Sequence, residues 1–292
     1  LRKTIELKPD FAIAHQNLGS ILRDFGKLEE AEISLRKAIR LNNDSADSHY
    51  LLGAILYDLK KTTQAAQSLR KVIELNPDYS LAHYNLGIIC LDLYKLEEAE
   101  KYLRKTIKLN SNIPKANYIL GSLLKDLEKL EEAEIFLRKA IEIEPDCADT
   151  NSNLGETLRG LGNIKEAEIY LKKGILIKPS CESYFFYASC LYEKKDFNSS
   201  RENLIKAKLL TNKKLWLLMI ETAIAITSSD KDKLVSSNKK TIRTRFFDKR
   251  VDKLIINREV EDELISHLFT IKTSQLNSTN DSRFGEGLCS DF

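Results

Sequence analysis

The chain has 292 residues, 42% hydrophobic and 30% charged, enough for a substantial buried core and unlike a disordered or membrane-embedded composition. A formal net charge of +3 is too small to argue for a nucleic-acid polyanion or an anionic membrane as the general partner. No stretch approaches the roughly 18 uncharged apolar residues of a membrane-crossing helix. The longest apolar run, residues 215–226, contains Glu221.

Taken in order, residues 1–11 (LRKTIELKPDF) read as the last turns of a helix equivalent to residues 35–43 and 69–77, with the preceding helix missing. The expectation is a fragment, or an array whose upstream units have been removed. From residue 12 onward the chain repeats itself every 34 residues, with units at 12–45, 46–79, 80–113, 114–147, 148–180 and, after a one-residue deletion, 181–215. One column holds Gly19, Gly53, Gly87, Gly121, Gly155 and then Ala188. Twelve residues on stand Ala31, Ala65, Ala99, Ala133, Ala167 and Ser200, followed by Leu35, Leu69, Leu103, Leu137, Leu171 and Leu204. Helix formers dominate between these columns, and Pro77, Pro145 and Pro179 close units. Each unit is therefore predicted to be a helix, a turn and a second helix, with small residues where the two approach. A fixed period of this length signals an all-α solenoid.

These residues resemble the tetratricopeptide repeat. The likeness rests on Asn-Leu-Gly at 17–19, 85–87 and 153–155, on Leu-Glu-Glu-Ala-Glu at 28–32, 96–100 and 130–134, and on Leu-Arg-Lys-Ala-Ile at 35–39 and 137–141. It covers roughly residues 1–215. It implies a right-handed superhelix whose first helices line a groove that holds a peptide or protein. Departures include Asn43 and Ser111 in place of the terminal proline, Gly174 in the core, and Ala188 for glycine, so the array degrades toward its C-terminal end as capping repeats do.

Under that register the groove-facing columns hold Gln16, Tyr50, Tyr84, Tyr118, Ser152 and Phe185, then Asn17, Leu51, Asn85, Ile119, Asn153 and Phe186, then Asp24, Asp58, Asp92, Asp126, Gly160 and Glu193, with Arg23, Lys125 and Arg159 interspersed. The candidate protein-binding residues are Asn17, Tyr50, Tyr84, Asn85, Tyr118 and Asn153 with Arg23, Lys125 and Arg159. Tyrosine offers a flat apolar face with a hydroxyl, and asparagine pairs with both the N–H and the C=O of an extended backbone. Against this stands a packing role for the tyrosines and a helix-end role for the aspartates. The repeats of O-linked N-acetylglucosamine transferases are similar, but here Asn17, Asn85 and Asn153 recur only every second unit. The lysine–asparagine–arginine clamp of chaperone adaptors is not supplied by positions such as Gln16, Ser20 and Leu51.

The five cysteines, Cys90, Cys147, Cys181, Cys190 and Cys289, include no Cys-x-x-Cys pair and read as reduced structural residues in a cytoplasmic protein. His15, His49 and His83 share one column at the repeat period, about 10 Å or more apart by interhelical spacing, too far to converge on one ion. No metal or cofactor is expected.

Beyond Leu204 the period fades. Residues 216–227 read as a capping helix led by Trp216, 228–243 as a polar linker, and 244–292 as a mixed extension with one strand-like and one helical segment and a mobile tail. Lys239, Lys240, Arg243, Arg245, Lys249, Arg250 and Lys253 flank Phe246 and Phe247, but the acids from Glu259 to Glu263 oppose a continuous basic stripe. This end loosely resembles the lead-in to iron- and 2-oxoglutarate-dependent oxygenase-like domains. That family's His-x-Asp pair is missing, since His267 is followed by Leu268 and Phe269. The residues thus predict a non-catalytic scaffold for a protein or peptide partner; the alternative is the substrate-recruiting arm of a larger glycosyltransferase or oxygenase.

Overall fold

The computed structural model describes residues 2–213 together with Ile220 and Ala223. Trp216, the linker, the 244–292 extension, Cys289 and the basic residues around Phe246 lie outside the described residues.

After the short α1 (Arg2–Leu7), the described chain alternates first and second helices: α2 (Ala12–Asp24) with α3 (Leu28–Leu41), α4 (Ala46–Asp58) with α5 (Thr62–Leu75), and α6 (Ser80–Asp92) with α7 (Leu96–Leu109). It continues with α8 (Pro114–Asp126), α9 (Leu130–Ile143), α10 (Ala148–Gly160), α11 (Ile164–Ile177), α12 (Cys181–Glu193) and α13 (Phe197–Leu209). No strand occurs among the described residues. The helices pack in consecutive pairs, and within each compact unit neighbouring pairs pack on each other, giving an all-α solenoid of helix pairs. The chain divides into two compact units, residues 1–116 and 117–292.

The small-residue columns explain the pairing. In α2, α4, α6, α8 and α10 the glycine faces the leucine sixteen residues on. A Cβ at Gly19 would lie 2.6 Å from Leu35 Cγ, and one at Gly155 would lie 2.6 Å from Leu171 Cγ and 3.0 Å from the Ala167 carbonyl. Ala31, Ala65, Ala99, Ala133 and Ala167, with Leu35, Leu69, Leu103, Leu137 and Leu171, have no accessible surface. Interiors this dense leave no room for one added carbon. In the sixth pair, where Ala188 and Ser200 replace glycine and alanine, Ser200 Oγ donates to the Ala188 carbonyl at 2.8 Å and so satisfies a buried hydroxyl.

Each pair turns through one left-handed residue: Gly26, Lys60, Tyr94, Glu128, Gly162 and Lys195, with φ between 55° and 83°. The following N–H reaches back over the helix end, from Lys27, Lys61, Lys95, Lys129, Asn163 and Asp196 to the carbonyls of Leu22, Leu56, Cys90, Leu124, Leu158 and Leu191. This is the Schellman arrangement, which pairs helix-terminal carbonyls that would otherwise lack partners. Four of the six units place a side-chain-bearing residue in the left-handed region, so the hydrogen bonds outweigh a backbone cost of about 1–2 kcal/mol.

Between pairs, the histidine column acts as a brace. The Nε2 atoms of His15, His49 and His83 lie 2.9, 3.0 and 2.9 Å from the carbonyl oxygens of Pro9, Asn43 and Pro77, and Asn151 Nδ2 donates to Pro145 O at 3.0 Å. Each ties a first helix to the loop six residues earlier. Cys90, Cys147, Cys181 and Cys190 are all buried free thiols. At the far end Ile220 and Ala223, both fully buried, join Cys181, Phe185, Leu204 and Ala207 in one apolar cluster.

Candidate protein-binding face

The candidate side chains project from first helices, which the glycine contacts and histidine braces hold in place. In residues 1–116 Tyr50 and Tyr84 lie together, while Arg23 is paired elsewhere. Tyr50 stacks on Tyr79 with ring centroids 5.1 Å apart, and the Tyr79 hydroxyl donates to Asp47 Oδ1 at 3.1 Å. Tyr84 lies next to Tyr50; burial, and then Tyr50, push its pKa up to about 12. Arg23 Nε donates to Asp58 Oδ2 at 3.2 Å on a partly exposed surface. Asn17 is exposed and Asn85 half-buried.

In residues 117–292 the candidates come together. Asn153 accepts from Lys125 Nζ through Oδ1, while its Nδ2 donates to the Tyr118 hydroxyl at 3.4 Å and the Asp149 carbonyl at 3.1 Å. The Lys125 ammonium also sits 5.4 Å from the centre of the Phe186 ring, a cation–π contact. Lys125 is only 5% exposed, so its charge is held inside the protein rather than trailing in solvent. Burial, and then the nearby Asp149 carboxylate, raise the Tyr118 pKa well above the ordinary tyrosine range, so the hydroxyl stays protonated. Burial likewise raises Asp149.

Arg159, on α10 like Asn153, has partners of its own. Its Nε and Nη2 donate to both oxygens of Glu156 at 2.9 and 3.0 Å, and Nη1 donates to Glu193. Arg159 and Glu156 are 8% and 6% exposed. A buried guanidinium matched by a bidentate carboxylate is an organising element first and a ligand contact second.

The acid column has a more definite role than solvating helix ends. Asp58 accepts from Arg23, Asp92 accepts from the Tyr57 hydroxyl at 2.6 Å, and Glu193 accepts from Arg159, each bond joining one first helix to the next. Sequence reasoning missed Tyr57, Glu156 and the Phe186 contact. A signal was present: Arg23, Tyr57, Lys125 and Arg159 share the column just before the acids, with Leu91 as the apolar exception. Where Gly160 interrupts the acid column, a Cβ would lie 2.8 Å from Leu130 Cδ1. Lys125, the preceding cation in the ladder, is bonded to Asn153 and lies over Phe186.

Among the described residues no cluster of three or more histidine, cysteine or carboxylate groups is placed to hold a metal, and no helix is long and apolar enough to cross a membrane.

Comparison with known proteins places these features in context. The family described as Anaphase-promoting complex, cyclosome, subunit 3 matches residues 24–106, and the family described as Tetratricopeptide repeat matches residues 114–147 and 148–181. No curated protein matches the sequence significantly. Among solved structures the chain is similar to YrrB, described as a TPR protein with an unusual peptide-binding site. The identity is 26%, covering 66% of this chain and 97% of that one, with a TM-score of 0.57. PilF of Pseudomonas aeruginosa is 18% identical over 72% of this chain and 96% of its own, with a TM-score of 0.61. The Cut9–Hcn1 hetero-tetramer of the anaphase-promoting complex contributes a chain 17% identical over 78% of this one and 45% of its own, with a TM-score of 0.59. The last two show the fold alone.

Proposed function

The chain belongs to the tetratricopeptide-repeat proteins, and from that premise we propose that it is a non-catalytic scaffold whose first-helix face binds an extended segment of a protein partner. The observation that carries this reading is the cluster of Tyr118, Lys125, Asn153 and Phe186. A lysine, an amide and an aromatic ring are held in one group before any ligand arrives. Such preorganisation lowers the ordering cost of association. Tyr50, Tyr84 and Asn85 supply a second patch of rings and amide on the other compact unit. YrrB, described as carrying a peptide-binding site, supports the class of ligand.

The test is capture from a peptide array spanning a proteome of the source organism, read with the wild-type chain and two double variants. Tyr84→Ala with Asn85→Ala, and Lys125→Ala with Asn153→Ala, should each weaken retained binding by about tenfold or more, as loss of an interface anchor does, while circular dichroism stays helical. Unchanged capture by both variants would sink the proposal.

A further inference from the structure

A solvent-open cleft of about 590 Å³ lies between the second helices α3 and α5, away from the first-helix face, with His49 and Leu52 of α4 at its base. A small residue forms part of its wall. Ser68 lies on the cleft wall at the column where Tyr102, Phe136 and Tyr170 stand in the three following units. In the next unit the Tyr102 ring sits with its centroid 6.0 Å from that of His83 and packs into the apolar core. His83 is the counterpart of His49, 34 residues on. The place beside His49 that corresponds to the Tyr102 ring beside His83 is therefore left without an aromatic side chain from its own unit.

The rim has a definite charge. Arg36, Arg40 and Lys71 line the cleft and no acid does. Arg36 is matched by Glu32 and Lys71 by Glu74, but Arg40 is exposed and has no ion pair among the described residues. Its counterpart in the next unit is Glu74, of opposite sign. The apolar wall is completed by Ile33, 68% exposed, and Ile39. Of the nine lining residues, Ile33, Arg40, Gln67 and Ser68 differ from their counterparts in the next unit, Gln67, Glu74, Lys101 and Tyr102, so that a ring and an acid are both given up.

We propose that this cleft docks an aromatic side chain of a partner polypeptide flanked by acidic residues, the ring resting against His49 and Leu52 as Tyr102 rests against His83, and the carboxylates meeting Arg40 and Lys71. A polypeptide fits better than a free small molecule because the cleft is open: small-molecule sites enclose most of their ligand, whereas a partner can cover the rest of this surface itself.

Fluorescence polarisation with labelled Gly-Asp-Phe-Glu-Gly and its Gly-Asp-Ala-Glu-Gly counterpart tests this on the full chain. The phenylalanine peptide should bind at least about tenfold more tightly, the size of effect a buried aromatic anchor gives. Ser68→Tyr, which installs the side chain used by the next unit, should abolish the difference while leaving the far-ultraviolet spectrum unchanged. Arg40→Glu, an exposed change that does not threaten folding, should weaken binding and flatten its dependence on salt. Tyr84→Ala with Asn85→Ala should have no effect, which separates this site from the first-helix face. The proposal is overturned if the wild-type chain does not prefer the phenylalanine peptide, or if either folded single variant binds it as the wild type does.

Discussion

Gly155 condenses the residue-scale logic of this protein. A single hydrogen for a side chain lets α10 lie against Leu171 and the Ala167 carbonyl. Gly155→Ala should destabilise the fold by about 1–3 kcal/mol through overpacking, read as a lowered urea midpoint; an unchanged midpoint would contradict the close approach. Proton binding gives a second residue-scale expectation. Burial raises the pKa of Cys190 to about 11, of Cys181 to about 12 and of Tyr84 to about 12, and raises Tyr57 and Tyr118 further. All these groups hold their protons more tightly folded than unfolded. Their contribution is therefore fully present below the unfolded values, about 8.5 for cysteine and 10 for tyrosine, and is lost as pH rises through the folded ones. Urea midpoints should hold steady from neutrality to about pH 8 and fall steeply between about pH 9 and 12. Tyr118→Phe with Cys190→Ala should make that fall shallower.

At the scale of elements, neighbouring first helices are joined by polar bonds whose strengths should differ sharply with burial. The Arg23–Asp58 pair is more than a third exposed on both sides, so Asp58→Asn should cost well under about 1 kcal/mol. Arg159 is different. Arg159→Met leaves Glu156 buried and uncompensated, and Glu193 without its guanidinium partner, a loss of about 3–5 kcal/mol. Adding Glu156→Gln should recover part of it, because the stranded charge is then gone. Thermal melts of the single and double variants check this; a single variant no worse than Asp58→Asn would mean the triad is not buried in solution. The turns belong to this scale as well. Lys60, Tyr94, Glu128 and Lys195 take the left-handed conformation that composition would assign to glycine, because the backbone hydrogen bonds that cap each first helix require it. No local sequence preference announces them.

For the whole molecule, contacts among the described residues run, within each compact unit, between helices one or two places apart along the chain, so stability there is close to a sum of pair terms and near-neighbour terms. Gly155→Ala strikes within residues 117–292 and leaves the helix pairs of residues 1–116 untouched. Its effect at this scale should be loss of a single cooperative transition: circular dichroism in urea should resolve an early step, while the pairs from α2 to α7 unfold near the wild-type midpoint. A single transition shifted as a whole would show stronger coupling along the array than neighbour contacts supply. The 34-residue period made the helix pairs, their order and the small-residue columns where paired helices approach legible without a structure, because each pair repeats the same short-range packing problem and so leaves the same residues at the same offsets. That each glycine faces a leucine sixteen residues on was seen only in the fold. Candidate binding columns were legible only as columns. Sequence spacing placed Asn153 on a face, but that it bonds Lys125 and Tyr118 follows from how α8 and α10 approach. Likewise the cleft beside His49 depends on what α5 fails to place across from α4. Periodicity is a property of one helix against its own partner and survives in the chain. The filling of space and the matching of charge between neighbouring helices depend on side chains about 30 residues apart, and only the folded packing decides them.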